Sequence, residues 1–196
     1  MQSGCGRGAR RWPPLQQQDT GETNQGGGVM ENIIRGCARL LGDNINTDTN
    51  CSSKYLPGKD NAYVAQHAFE KVAPDFIGRF KAGDIIVAGK NFGNNSSREQ
   101  AVHVMHLMGV SALVSPSFGR QFFRNTINNG LPAFECAIDG IADGDDIEID
   151  VAAGTVKVAA RGIERRVPVL PPAVRAILAE GGLIKFLQKY PDWKTA

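Results

Sequence analysis

Residues Asp84-Ile85-Ile86-Val87-Ala88, followed by Gly89-Lys90-Asn91-Phe92-Gly93-Asn94-Asn95-Ser96-Ser97-Arg98-Glu99, decide the fold. From Ile85 to Ala88 the run is apolar without alternation and rich in β-branched side chains, as suits a strand covered on both faces. The next eleven residues read as a turn entering a helix. Ser96 with Glu99 three positions on has the form of a capping box, in which each side chain satisfies the other residue's exposed backbone N–H. That helix is expected to run to Met108 and stop at Gly109, which tolerates a left-handed cap. Ser111-Ala112-Leu113-Val114 is a second strand. Strand, helix and strand within about 30 residues make a βαβ unit with parallel strands and a right-handed crossover. The chain is therefore α/β.

Working outward, a first strand is expected over 32–41, a polar loop over 44–58 and a helix over 62–69 ahead of Pro74. Downstream come a helix at 121–127 and a short strand at 132–136. Apolar or alternating segments at 147–151, 155–159 and 166–170, separated by glycine turns, read as a small β-meander. Helices at 172–180 and 182–190 close the chain. Residues 1–29 differ from the rest, with seven glycines, Gln16-Gln17-Gln18 and only Trp12, Leu15 and Val29 as sizeable apolar side chains. Such a segment buries too little surface to offset its ordering entropy, so it is expected as a disordered extension before a domain at 30–196.

Composition narrows the class. Of 196 residues, 42% are hydrophobic and 21% charged, enough apolar material for a real core. The formal charge of +2 is too near neutral to imply a nucleic-acid partner. No apolar run approaches the roughly 18 residues of a membrane span, and the N-terminus has no continuous apolar leader. Cys5, Cys37, Cys51 and Cys136 are scattered without a CxxC pair, which fits neither a zinc ribbon nor a dense disulfide framework. A reducing cytoplasm is the expected location.

Chemistry concentrates at two strand-to-helix turns. At the first, Gly93 allows close backbone approach, Ser96 and Ser97 offer hydroxyls, and Arg98 offers a planar fork for a carboxylate or phosphate. A helix N-terminus there would add free N–H donors and positive charge. The second turn, Ser115-Pro116-Ser117-Phe118-Gly119-Arg120, carries Ser117 and Arg120, so both could converge on a doubly anionic ligand at the carboxyl ends of parallel strands. Glu99, His103 and His106 share one helical face, but Glu99 is committed to the cap and no HExxH is present; no metal site is expected on this chain. Asp48, within Asn46-Thr47-Asp48-Thr49, reads as a loop organiser or simple turn chemistry. Nothing near Cys51 marks it as reactive.

Taken together, Gly42-Asp43-Asn44-Ile45-Asn46-Thr47-Asp48, Tyr55-Leu56, Gly89 to Gly93, Ser96-Ser97-Arg98-Glu99, Ser117 to Arg120, Asn129-Gly130-Leu131-Pro132 and Gly181-Gly182-Leu183 are similar, in this order, to the small subunit of 3-isopropylmalate dehydratase. That family is the swivel domain of the aconitase superfamily, and the resemblance covers about 30–190. It implies a swivelling β/β/α fold and a large-subunit partner holding a [4Fe-4S] cluster with three cysteines. It also implies dehydration and rehydration of a hydroxy di- or tricarboxylate. By the same resemblance Ser96 is the serine whose alkoxide takes the carbon-bound proton, its anion stabilised by the positive helix end and Arg98, Ser97 and Arg98 are substrate-carboxylate ligands, and Asp48 is the family's loop aspartate.

The sequence departs from the family pattern at Asn94-Asn95, at Gln100 in place of a histidine, and in the loop Asn50-Cys51-Ser52-Ser53-Lys54 with Pro57-Gly58-Lys59 beyond. Lys54 and Lys59 make this loop more polar than an isopropyl pocket needs. Substrates of the homoaconitate, dimethylmalate or citraconate type therefore stand beside isopropylmalate. Two other readings remain: a carboxylate-binding module that kept the fold, and a metal enzyme using the Glu99, His103 and His106 face.

Overall fold

In a computed structural model the described residues are 33–193; the extension expected over 1–29 lies outside them. The strands are β1 (Ile33–Leu41), β2 (Ile85–Ala88), β3 (Ala112–Ser115), β4 (Ala133–Glu135), β5 (Asp146–Asp150), β6 (Thr155–Val158) and β7 (Ile163–Arg166). The helices are α1 (Thr47–Asn50), α2 (Asn61–Ala65), α3 (Phe76–Arg79), α4 (Gln100–Met108), α5 (Arg120–Asn128), α6 (Pro172–Ala179) and α7 (Leu183–Lys189). One seven-stranded sheet runs in the order β4-β3-β2-β1-β5-β6-β7.

The sheet changes character within β1. Ala38 to Leu41 pair in parallel with Ile85 to Ala88, while Ile33 to Cys37 pair antiparallel with β5. One long strand thus joins a parallel half, β1 to β4, to an antiparallel meander, β5 to β7. β2 and β3 are buried along their whole lengths, as the unbroken apolar runs require. Alternate residues of β2 feed two cores. Ile86 and Ala88 pack with Phe69, Phe76, Met105 and Phe122 from the α1 to α5 side. Ile85 and Val87 pack with Ile147, Val156, Ile177 and Phe186 from the meander and the last two helices.

A buried ionic cluster locks β1 to its neighbours. Arg39, only 9% exposed, donates from Nε to Asp84 Oδ2 at 2.5 Å. Asp143 accepts from Leu40 N at 2.8 Å and pairs with Arg79.

Four expectations are corrected. The 62–69 helix is only α2, giving way to turns before α3. The polar loop after β1 contains a helical turn, α1, capped by Asn46, whose side chain accepts from Thr49 N. The third meander strand lies at Ile163–Arg166 rather than 166–170, because Pro168 has no N–H for the ladder and Gly162, at φ +62, turns the chain into β7 earlier. Finally, α4 begins at Gln100 with Glu99 as N-cap and no side-chain cap bond, so the capping box does not form; Gly109, at φ +79, ends it as expected. Among the described residues no helix is long and apolar enough to cross a membrane.

Candidate active site

Three loops meet beyond the carboxyl ends of β1, β2 and β3. Gly89 N donates to Leu41 O and Gly42 O, and Gly93 N donates to Ile45 O at 2.8 Å, tying the second loop to the first. Phe92 N donates to Ser117 O at 3.0 Å and Gly119 N to Phe92 O at 2.8 Å, tying it to the third. These contacts explain two signature glycines. Gly93 has φ +76, and a Cβ on it would lie 2.3 Å from the Phe122 ring. A Cβ on Gly119 would lie 2.2 Å from Gly93 O.

Inside this junction sits a chain of side chains. Thr47 Oγ1 donates to Ser96 Oγ at 2.6 Å, and Ser96 Oγ donates to Asp48 Oδ1 at 2.9 Å. Asp48 accepts two more bonds, from Ser97 N to Oδ2 and from Arg98 N to Oδ1, both at 3.2 Å. Thr47, Asp48 and Ser96 are 0%, 7% and 4% exposed. The amides of Ser97 and Arg98, donors expected to greet an external anion, are thus already filled by the chain's own carboxylate. Asp48 serves as the organiser of the turn.

Around this buried triplet the charges are open. Ser97 and Arg98 are exposed, as is Arg120 at the start of α5. Among the described residues neither guanidinium has an ion pair. Asn125 Nδ2 donates to Ser97 O at 3.3 Å, bracing the turn from α5. Lys54 and Lys59 are exposed on the neighbouring loop, and Lys59 lies 4.6 Å over the Tyr63 ring. Gln100 holds that loop: it accepts from Ser53 Oγ at 2.9 Å and donates to Asn61 Oδ1 at 2.6 Å. Tyr55 donates to Glu70 Oε1, and burial, then this bond, pushes its phenol up to about 12. Thr47, Asn125 and the Gln100 clamp escaped the sequence reading. Only the adjacency of Thr47 to Asp48 hinted at the first.

Cys51 is fully buried, and burial raises its thiol well above the usual range, so it is poorly suited to nucleophilic work. His103 and His106 both engage Asn129. Among the described residues no group of three His, Cys, Asp or Glu side chains could hold a metal ion.

Fold and site together define a mixed α/β domain with a serine turn at parallel strand ends. A family model described as the aconitase C-terminal domain matches residues 15–137. The 3-isopropylmalate dehydratase small subunit 2 of Archaeoglobus fulgidus is 43% identical over 160 residues, covering 81% of this chain and 97% of its own. Small subunit 1 of Thermotoga maritima is 42% identical over 160 residues, with 81% and 96% covered. A crystal structure of 3-isopropylmalate dehydratase from Methanocaldococcus jannaschii matches with a TM-score of 0.74 at 38% identity, covering 81% of this chain and 95% of that one. The chain belongs to the aconitase C-terminal domain family and, within it, to the 3-isopropylmalate dehydratase small subunits.

Proposed function

We propose that this chain is the small subunit of a hydro-lyase acting on 3-isopropylmalate, assembled with a large subunit that carries a [4Fe-4S] cluster and works in the cytoplasm. The observation that carries the reading is a serine hydroxyl held between two hydrogen-bond partners, on a turn that carries the exposed Arg98 and leads towards Arg120, neither with an ion pair among the described residues. The described residues form no seat for the cluster, so each role assigned below belongs to this chain's own side chains. Ser96 takes the carbon-bound proton. Ser97, Arg98 and Arg120 hold the two substrate carboxylates, and Lys54 and Lys59 border the approach. Asp48 acts through the turn that it holds.

Physical chemistry explains why such a site needs a partner. An exposed guanidinium–carboxylate pair contributes only about 0–1 kcal/mol, because water and salt screen it. Excluding water strengthens each pair several-fold. Ser96 is also covered in the free chain, at 4% exposed, so the 93–98 turn must yield as the large subunit docks. The printed names of the relatives favour isopropylmalate over homoaconitate-, dimethylmalate- or citraconate-type acids.

The test is anaerobic reconstitution with the large subunit, followed by assay of 3-isopropylmalate alongside homoaconitate, 2,3-dimethylmalate and citramalate. Preferred turnover of isopropylmalate is expected. Binding of these acids without turnover by the cluster-loaded assembly would instead favour a carboxylate-binding module.

A further inference from the structure

A serine can take a proton from carbon only if its own proton goes elsewhere or its charge is stabilised. Here the turn gives a free alkoxide little help. The amides of residues 97 and 98 already point at Asp48, and that carboxylate lies 2.9 Å from Ser96 Oγ, where its negative charge opposes a second one. We propose that Ser96 works as a relay, passing its hydroxyl proton to Asp48 Oδ1 as Oγ takes the proton from substrate carbon, with Thr47 positioning the hydroxyl for both transfers. The proposal deepens the reading above and rests on it.

The atoms balance. The substrate C–H bond breaks and a new Oγ–H bond forms, while the original Oγ–H bond breaks and an Oδ1–H bond forms on Asp48. The C–H electron pair becomes the new C=C bond as the neighbouring C–O bond breaks, and the hydroxyl leaves with the electron pair of that C–O bond. Ser96 ends neutral, and the negative charge lost is that of Asp48. Reversal of both transfers serves rehydration.

Geometry supports each part. Thr47 Oγ1, buried at 2.6 Å from Ser96 Oγ, occupies one of the serine's two lone-pair directions. The serine proton is directed at Asp48, which leaves a single lone pair for the incoming proton. The β-branched Thr47 side chain is stiff about χ1 and sits on α1, itself capped by Asn46, so the free chain already holds the hydroxyl between Thr47 and Asp48.

The experiment uses the assembled, cluster-loaded enzyme with 3-isopropylmalate, protonated or deuterated at the reacting carbon, in H2O and D2O. Thr47→Val should lower kcat about two- to tenfold, the worth of one hydrogen bond to a hydroxyl that stays neutral. KM should stay near wild type, and Thr47→Ser should restore most of the rate. The wild-type step that shows a substrate isotope effect should also show a normal solvent isotope effect, because two protons move. The residual turnover of Asp48→Asn, an amide that cannot take the proton, should lose the solvent effect. A wild-type solvent effect of unity, a solvent effect unchanged in Asp48→Asn, or Thr47→Ser as impaired as Thr47→Val would overturn the relay while leaving the hydro-lyase reading intact. Absence of wild-type turnover on every hydroxy acid would instead remove that reading.

Discussion

Replacing Gly119 by alanine isolates the contact that aligns the second and third loops. Gly119 has φ −61 and ψ 127, ordinary extended backbone, so alanine carries no conformational penalty there. What it lacks is space. Its Cβ would stand 2.2 Å from Gly93 O, 2.7 Å from Gly93 C and 3.1 Å from Asn94 N, all backbone atoms that no rotamer change can move. Real Cβ contacts essentially never fall below 3.0 Å, so one loop must retreat by about 0.8 Å. That retreat breaks or stretches the two bonds at Phe92, each contributing about 1 kcal/mol. Overpacking against a tight interior adds about 1–3 kcal/mol. The expected loss is therefore about 3–5 kcal/mol in a urea unfolding experiment on the full chain. Gly42→Ala is the control, because nothing lies within 4 Å of its added Cβ; it should stay within about 0.5 kcal/mol of wild type. Equal stability of the two variants would refute the argument.

Three further outcomes are expected. Asp84→Ala leaves the buried Arg39 guanidinium without its closest carboxylate and should cost about 3–5 kcal/mol by chemical denaturation. His106 is held below its ordinary 6.5 chiefly by burial, with like charge from His103 and Lys185 adding to it and its bond to Asn129 O opposing it. The unfolded chain therefore binds that proton more readily, and the His106 contribution to stability declines as pH falls below about 6.5. Melting curves between pH 7.5 and 5 should flatten, over that window alone, in His106→Gln. Gln100→Ala removes both bonds that pin the 53–61 segment, so hydrogen exchange there should accelerate while α4 and β2 stay protected. Unchanged exchange would mean that the clamp does not hold the loop.

Local chemistry made much of the fold legible. Ile85 to Ala88 and Ala112 to Val114 carry no alternation because helices and meander cover both faces, and Gly109 ends α4 where a left-handed cap is needed. The failures share a cause. Ser96 and Glu99 have capping-box spacing, but Ser96 N donates to Gly93 O and the Ser96 hydroxyl donates to Asp48, 48 residues away, so neither half of the box forms. No local pattern contains that contact. Thr47 escaped for the same reason, since its one informative bond spans 49 residues. Pro168 was visible, and its missing N–H explains why β7 sits earlier than the apolar run suggests. At the turn, long-range packing decided that the anion facing the Ser97 and Arg98 amides is the chain's own.

The most direct measurement is the rate of 3-isopropylmalate dehydration by the cluster-loaded assembly carrying Ser96→Ala, with thermal melting, subunit stoichiometry and iron content recorded on the same sample. A fall of at least about a thousandfold is predicted if Ser96 takes the carbon-bound proton, within the roughly hundred- to ten-thousandfold range of general acid–base groups, with assembly and iron unchanged. Turnover close to wild type would contradict the account at its centre.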